Sequence, residues 1–355
     1  MVHTHGEMSV LPERWSRLRS LPHVSLGTLP TPLERSTRLT DALDTEVWAK
    51  RDDLTGARYG GNKVRKLERL LGDALDRGAD TIITTGAAGS HHVLATSLYG
   101  RSVGLAVHGV MVPQKRTPHV EANLRATVES GAILHAVPVH VAVAPAMAAL
   151  ALRLRREGHR PYLIGPGGSE PAGVVGYVEG GLELAEQLLS IKNGQPDAIY
   201  VALGSGGTAC GLALGLAAAG AMMPVIAVRV TPRGVVRRAW LASLARGAAR
   251  RLRSFDDRFP DVTDLALANL SIDDAELGRG YGVPTPSGRE AGRLAHDVAG
   301  LDLDATYTEK AFASLVRAAR GPRRGQRLLF VQTLSSVHPP QSSDALPARI
   351  ASLIT

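Results

Sequence analysis

Lysine is scarce in this chain of 355 residues, which takes most of its positive charge from arginine: Lys50, Lys63, Lys66, Lys115, Lys192 and Lys310 are all it has. Lys63 and Lys66 sit three positions apart behind the turn Gly60-Gly61-Asn62, where Val64-Arg65-Lys66-Leu67-Glu68 opens a helix. Arginine stays protonated, whereas a desolvated lysine can lose its proton and then form an imine or act as a base. Keeping lysine here, against the grain of the composition, points to amine chemistry. A glycine turn followed by a solvated basic helix start is the plain alternative.

The second chemical segment is Leu203-Gly204-Ser205-Gly206-Gly207-Thr208-Ala209-Cys210-Gly211, between a predicted strand and a predicted helix. Glycines there let backbone N–H groups approach an anion, and the helix N-terminus adds partial positive charge. Ser205 and Thr208 add hydroxyl donors. No lysine follows the glycines as in a nucleotide P-loop, and the spacing is not that of a dinucleotide fingerprint. A small phosphate group fits better, the alternative being a glycine-rich helix start with no ligand. Cys210 lies inside the helix start and reads as packing rather than as a nucleophile. A reactive lysine at one end and a phosphate cradle at the other suggest pyridoxal 5'-phosphate, held in a cleft between two units.

The elements that must position these groups alternate in type. Strands are expected at Thr81–Thr85, Gly104–Val112, Ala132–Val137 and Pro161–Ile164, with helices at Val93–Leu98, His119–Ser130 and Ala142–Glu157 between them. After a helix over Val174–Leu189, strands are expected at Asp197–Leu203, Pro224–Val230, Leu265–Leu270 and Arg327–Gln332. The helices Thr208–Ala219, Val235–Leu252, Ser287–Val298 and Lys310–Ala319 separate them. Short buried strands spaced by helices indicate right-handed βαβ units and parallel sheets. The first 60 residues hold one clear strand, Glu46–Lys50, assigned to the second sheet. The expected organisation is a large cofactor-phosphate domain, 1–66 and 175–355, with a small α/β domain, 67–174, inserted. A tail from His338 to Leu346 loops out before a short terminal helix.

Composition narrows the functional classes. Cys210 is the only cysteine, which excludes an internal disulfide framework and fits a reducing compartment. No apolar run reaches membrane length and the stretch from Met1 to Glu13 is polar, so a soluble, cytoplasmic protein is expected. The net charge is +8, but the arginine runs lack the interleaved aromatics that stack bases, which argues against nucleic acid as a partner.

The chain resembles the D-cysteine desulfhydrase and 1-aminocyclopropane-1-carboxylate deaminase family of pyridoxal phosphate enzymes. The matching pieces are Thr31-Pro32-Leu33-Glu34-Arg35, Lys50 to Gly56, Gly60 to Glu68, Gly204 to Thr208, Tyr281-Gly282-Val283-Pro284 and Tyr307-Thr308. The resemblance implies a two-domain, three-layer αβα architecture with parallel sheets, the tryptophan-synthase-β-like fold (fold type II), and a homodimer. It implies that Lys63 carries the cofactor as an imine and moves the substrate's α-proton, while Asn62 and Lys66 hold the cofactor, Lys66 near the phosphate. Gly204, Ser205, Gly206, Gly207 and Thr208 form the phosphate loop, and Tyr281 and Tyr307 face a small amino-acid substrate. Ser90, with His91 and His92, lies in the loop that receives the substrate carboxylate. No metal is implied.

Thr308 stands where the family places a Glu in deaminases and a Thr in desulfhydrases, beside the cofactor's pyridine nitrogen. A hydroxyl there favours β-elimination from a β-substituted alanine such as D-cysteine, giving pyruvate and ammonia. A cyclopropane-opening deaminase is the alternative, and a non-catalytic pyridoxal phosphate-binding protein the second. Three departures bear on the substrate: Gly89-Ser90-His91-His92 for Gln-Ser-Asn-His, Gln332-Thr333-Leu334-Ser335-Ser336 for a His-Thr-Gly-Gly ending, and Glu309 for a small residue. His91 beside the cofactor is either a new acid/base or a hydrogen-bonding substitute for Asn.

Overall fold

The computed structural model describes residues 13–191, 194–338 and 346–355. Most of the polar N-terminal stretch and of the His338–Leu346 tail lies outside the described residues. Along the chain run β1 (Leu33–Arg35), α1 (Thr37–Leu43), β2 (Glu46–Lys50) and α2 (Lys63–Asp76). Next come β3 (Thr81–Ala87), α3 (His91–Ser102), β4 (Ala106–Val112), α4 (Pro118–Glu129), β5 (Ile133–Ala136), α5 (Val143–Arg156) and β6 (Pro161–Ile164). Then follow α6 (Pro171–Leu189), β7 (Ala198–Leu203), α7 (Gly207–Ala218), β8 (Val225–Arg229), α8 (Arg238–Phe255), α9 (Thr263–Ala268) and β9 (Leu270–Asp273). The chain closes with α10 (Pro286–Ala299), α11 (Thr308–Ala319), β10 (Arg327–Val331) and the short α12 (Ala348–Ala351).

These strands form a six-stranded sheet in the order β1-β2-β10-β7-β8-β9 and a four-stranded sheet in the order β5-β4-β3-β6. All pairings are parallel except β1 with β2, where Leu33 lies opposite Lys50. The strands are almost continuously apolar because helices cover both faces. One face of the large sheet packs Ile199, Val201 and Leu329 against α6, α7 and α8, and the other packs Ala198, Tyr200 and Phe330 against α10 and α11. Val64, Leu67 and Leu71 of α2 pack with Ile82, Leu94 and Tyr99 over the small sheet.

Two expectations need correction. Leu265–Leu270 is not a strand: α9 covers Thr263–Ala268, and β9 begins only at Leu270. A short Leu/Ala run has no periodicity that separates buried helix from buried strand, and Ala and Leu favour the helix. The N-terminal part also holds a second strand, β1, whose charged Glu34 and Arg35 hide it; a three-residue antiparallel edge has little to bury. Among the described residues, no helix is long and apolar enough to cross a membrane.

Candidate active site

The loops after β2, β3, β7 and β10 converge at the C-terminal strand ends, where open parallel sheets bind ligands. The turn before α2 is tied to the loop after β10. Gly60 N–H donates to Ser335 Oγ (2.8 Å), Gly61 N–H to Asp52 O (2.9 Å) and Asn62 N–H to Thr333 O (3.1 Å). Gly61 has φ +87°, and a Cβ there would lie 2.7 Å from Thr333 O, so only glycine lets the two loops touch. Ser336 fastens the other end through its N–H (3.2 Å) and its hydroxyl (3.0 Å), both donated to Asp53 O. The unusual Thr333–Ser336 ending thus braces the turn that launches Lys63.

Lys63 is the first residue of α2, half-buried, and its Nζ makes no hydrogen bond among the described residues. Burial draws its pKa down to about 8, with the Asp304 carboxylate pushing weakly the other way. One turn on, Lys66 is fully buried and donates to Gly167 O (3.1 Å) and Ser169 Oγ (3.3 Å). Burial and the neighbouring Lys63 charge push its pKa well below the usual lysine range.

Lys66 points at the start of α7. There Gly207 N–H donates to Ser169 Oγ (3.1 Å), Ser169 and Ser205 hydroxyls lie 2.6 Å apart, and Asn62 Nδ2 donates to Thr208 Oγ1 (3.0 Å). A Cβ on Gly207 would fall 2.6 Å from Ser169 Oγ and 2.9 Å from Lys66 Nζ, so the glycine leaves a small hollow lined by hydroxyls, an amide and a lysine amine. Trp240 Nε1 holds the loop from outside through Ser205 O (3.0 Å). Ser169 was missed from the sequence; its place beside Gly165-Pro166-Gly167-Gly168 at the junction of the sheets was the available signal. Cys210 donates its Sγ–H to Leu241 O (3.3 Å), and burial lifts its pKa to about 12, as befits packing.

On the facing wall Ser90 caps α3, its Oγ accepting Val93 N–H at 3.3 Å. His91 Nδ1 lies 2.5 Å from the Tyr59 hydroxyl, and its ring packs 4.6 Å from His119 and 6.3 Å from Tyr307. His92 departs from its expected place beside the substrate carboxylate. It turns inward, with Nε2 3.0 Å from Thr84 Oγ1, because the next position on a helix points about 100° away from its neighbour. The Tyr281 and Tyr307 hydroxyls meet at 2.7 Å, and burial raises both pKa values, so both phenols keep their protons. Lys310 holds the loop that carries Tyr281, donating to Leu277 O and Gly280 O at 3.0 Å each.

Thr308 is buried, and its hydroxyl is engaged by Asp304. Asp304 N–H donates to Thr308 Oγ1 (2.7 Å), and Thr308 Oγ1–H donates to the Asp304 carboxylate (2.8 Å). Asp304 also accepts the N–H groups of Thr306, Tyr307 and Thr308, capping α11. Its negative charge reaches Lys63, His91 and His119. Glu309 turns towards α10, into space left by Gly288 and Gly292, where burial raises its pKa. Among the described residues, no cluster of side chains is suited to a metal.

A desolvated lysine, a hydroxyl- and amide-lined hollow with a second lysine, and the orphaned buried Nε2 of His91 fit an aldehyde, a phosphate and an oxygen acceptor respectively. Pyridoxal phosphate carries all three. The family model described as "Pyridoxal-phosphate dependent enzyme" matches residues 24–333. The chain belongs to this family of pyridoxal phosphate-dependent enzymes.

Within the family, the chain is 35% identical over 325 residues to a D-cysteine desulfhydrase of Salmonella choleraesuis (strain SC-B67), covering 89% of this chain and 94% of that protein. A crystal structure described as an ACC deaminase homologue superposes with a TM-score of 0.77 at 30% identity, covering 97% of this chain and all of that one. Threonine deaminase isoform 2 from Solanum lycopersicum superposes with a TM-score of 0.62 at 15% identity over 92% of this chain and 89% of that one, which speaks for the fold alone. The architecture is that of fold type II.

Proposed function

We propose that this enzyme is a lyase that eliminates the β-substituent of a small amino acid, with D-cysteine the leading candidate: D-cysteine and water become pyruvate, ammonia and sulfide. The observation that carries the reading is the Lys63 amine, free of any hydrogen bond among the described residues and with its pKa lowered by burial. It stands at the head of a helix whose next turn, through Lys66, reaches the Gly207 hollow. When bound, pyridoxal phosphate supplies an aldehyde for an amine and a ring that accepts electrons.

The residues then divide the work. Lys66, Asn62, Ser169, Ser205, Thr208 and the amides of Gly204 to Gly207 would hold the phosphate end, aided by the α7 N-terminus. Lys63, part-neutral near neutral pH, takes the proton from the substrate's Cα. Ser90 and the N-terminus of α3 receive the carboxylate. The protonated Tyr281–Tyr307 pair faces the β-substituent and donates a hydrogen bond to it as it leaves. Thr308 would offer the ring an uncharged oxygen, sufficient where the β-substituent is a good leaving group.

A cyclopropane-opening deaminase is the second reading, and Asp304 favours it: its carboxylate stands directly behind the Thr308 hydroxyl and lends that oxygen negative character. Purified enzyme given D-cysteine, and separately 1-aminocyclopropane-1-carboxylate, separates the two by sulfide and 2-oxoacid release. Product from neither, with cofactor bound, rejects both. The same reading takes the enzyme to be a cytoplasmic homodimer acting on a small amino acid, with domains 1–66 plus 175–355 and 67–174. The separate β3–β6 sheet supports the domain division, the family resemblance supports the dimer, and light scattering tests the subunit count.

A further inference from the structure

We infer that Tyr59 and Asn123 lock His91 into a single form, a neutral imidazole with its proton on Nε2, so that it donates a hydrogen bond to an anionic oxygen in the pocket and does not move protons. The acceptor is either the phenolate oxygen of the cofactor or the carboxylate of the substrate, and this half of the inference rests on the functional reading above.

The lock is built on one nitrogen, Nδ1, from the Tyr59 hydroxyl and a shared Asn123 amide hydrogen. The Tyr59 hydroxyl lies 2.5 Å from His91 Nδ1. Tyr59 is buried away from water, which keeps its phenol protonated. Asn123 Nδ2 lies 3.4 Å from the same nitrogen and 3.4 Å from His119 Nε2, so it shares one hydrogen between the two rings. The orientation of that amide is set independently, because Nδ2 also donates to Gly89 O at 3.0 Å and so must be the nitrogen end. With donors on Nδ1, the ring proton belongs on Nε2. That nitrogen is buried and has no hydrogen-bond partner among the described residues. His92 likewise leaves Nδ1 buried without a partner, so the orphan nitrogen alone does not single out His91; what does is its place in the pocket, with Tyr307 6.3 Å from its ring and the Lys63 charge acting on it.

The surroundings oppose a second proton. His119 lies on one side of the ring, the Lys63 ammonium is close, and only the Asp304 carboxylate favours a positive charge. Tyr59, Tyr307 and Asn123 complete the shell and carry no charge. Burial and these neighbours take the His91 pKa to about 3, in accord with the geometry. Tyr59 and Asn123 are positioning residues here, acting through His91.

The test is nitrogen NMR of histidine-labelled protein, first without cofactor. His91, assigned by its loss in His91→Gln, is expected to show a pyrrole-type Nε2 and a pyridine-type Nδ1, unchanged from about pH 5.5 to about pH 8. In Tyr59→Phe the single form gives way to a tautomer mixture, while the ring stays neutral across the same range because burial, His119 and Lys63 are unchanged. A proton on Nδ1, a titration within that range, or no change in Tyr59→Phe overturns the lock.

Pyridoxal phosphate is then added alone, and D-alanine after it as an amino acid with no leaving group. A downfield move of the Nε2 proton at the first addition assigns the phenolate, and one only at the second assigns the carboxylate. No move at either overturns the acceptor. Uptake of cofactor is followed separately by its absorbance. Failure there defeats the functional reading and the named acceptor, while the tautomer of the cofactor-free protein stands or falls by itself.

Discussion

Lys63 and Arg65 are two cations on the first turn of one helix, and the protein treats them in opposite ways. Arg65 is fully buried between two carboxylates. Its guanidinium grips Asp52 at 2.9 and 3.0 Å and Glu183 twice at 2.8 Å. Lys50 pairs with the same Glu183, and the Tyr177 hydroxyl donates to Asp52 at 2.6 Å. Those charges raise the Arg65 pKa far above an already high value. Lys63 has no carboxylate in bonding range, and its pKa falls. The compensated cation is scaffold, nailing α2 to α6 and to the loop after β2. The uncompensated one is left reactive, and the stiffness of the first holds the second in place.

Breaking the reactive half should give the largest effect. Lys63→Ala is expected to lower turnover about 10³-fold or more, the loss typical of removing a positioned base and nucleophile. It also abolishes the visible absorbance of cofactor held through the amine. The melting temperature should hold or rise slightly, since an unpaired buried charge disappears. A full-strength absorbance band in the variant would show that another lysine holds the cofactor.

Breaking the scaffold half should do the reverse. Arg65→Met leaves Asp52 and Glu183 facing one another without their shared cation, a change that costs about 3–5 kcal/mol in comparable buried pairs. Denaturant unfolding measures it. A loss below about 1 kcal/mol would mean that Lys50 alone satisfies both carboxylates.

The contrast also marks how far the sequence could be read. The Lys63 turn, the Gly204–Thr208 loop and most βαβ elements were legible because each has a local signature: a glycine turn before a helix, glycines between strand and helix, an apolar run of strand length. Ser169, Tyr59, Asn123 and Asp304 were not, since each acts on a partner far along the chain: Ser169 on Gly207, Tyr59 on His91, Asn123 on Gly89, and Asp304 on Lys63. Arg65 was visible only as one more basic residue of a motif; its meeting with Glu183, 118 positions away, is tertiary. His92 was placed on the wrong side because adjacent positions on a helix cannot share a face.

A pH series sharpens the reactive half without any mutation. Neutral amine captures aldehyde, and with a pKa of about 8 roughly a tenth of Lys63 is neutral at pH 7, against well under a thousandth for an ordinary lysine. The sign follows: the rate of cofactor capture by the cofactor-free protein rises about tenfold per pH unit below pH 8, then levels. A rate still climbing towards pH 10 would mean that the amine is not desolvated, and the distinction between the two cations would fail.

The smallest effect is expected at Thr308, where compensation is partial. Its hydroxyl already donates to Asp304, so the oxygen has one lone pair left for a ligand and carries no full charge. In Thr308→Glu a carboxylate arrives beside Asp304, and two like charges so close cannot both remain ionised without a cation between them. A protonated ring nitrogen would be that cation, so the absorbance of the bound cofactor should shift towards its protonated-ring form. Elimination should change only a few-fold, as the base and phosphate cradle are untouched. An unchanged spectrum would place Thr308 away from the ring, and the preference for elimination over ring opening would then lose its support.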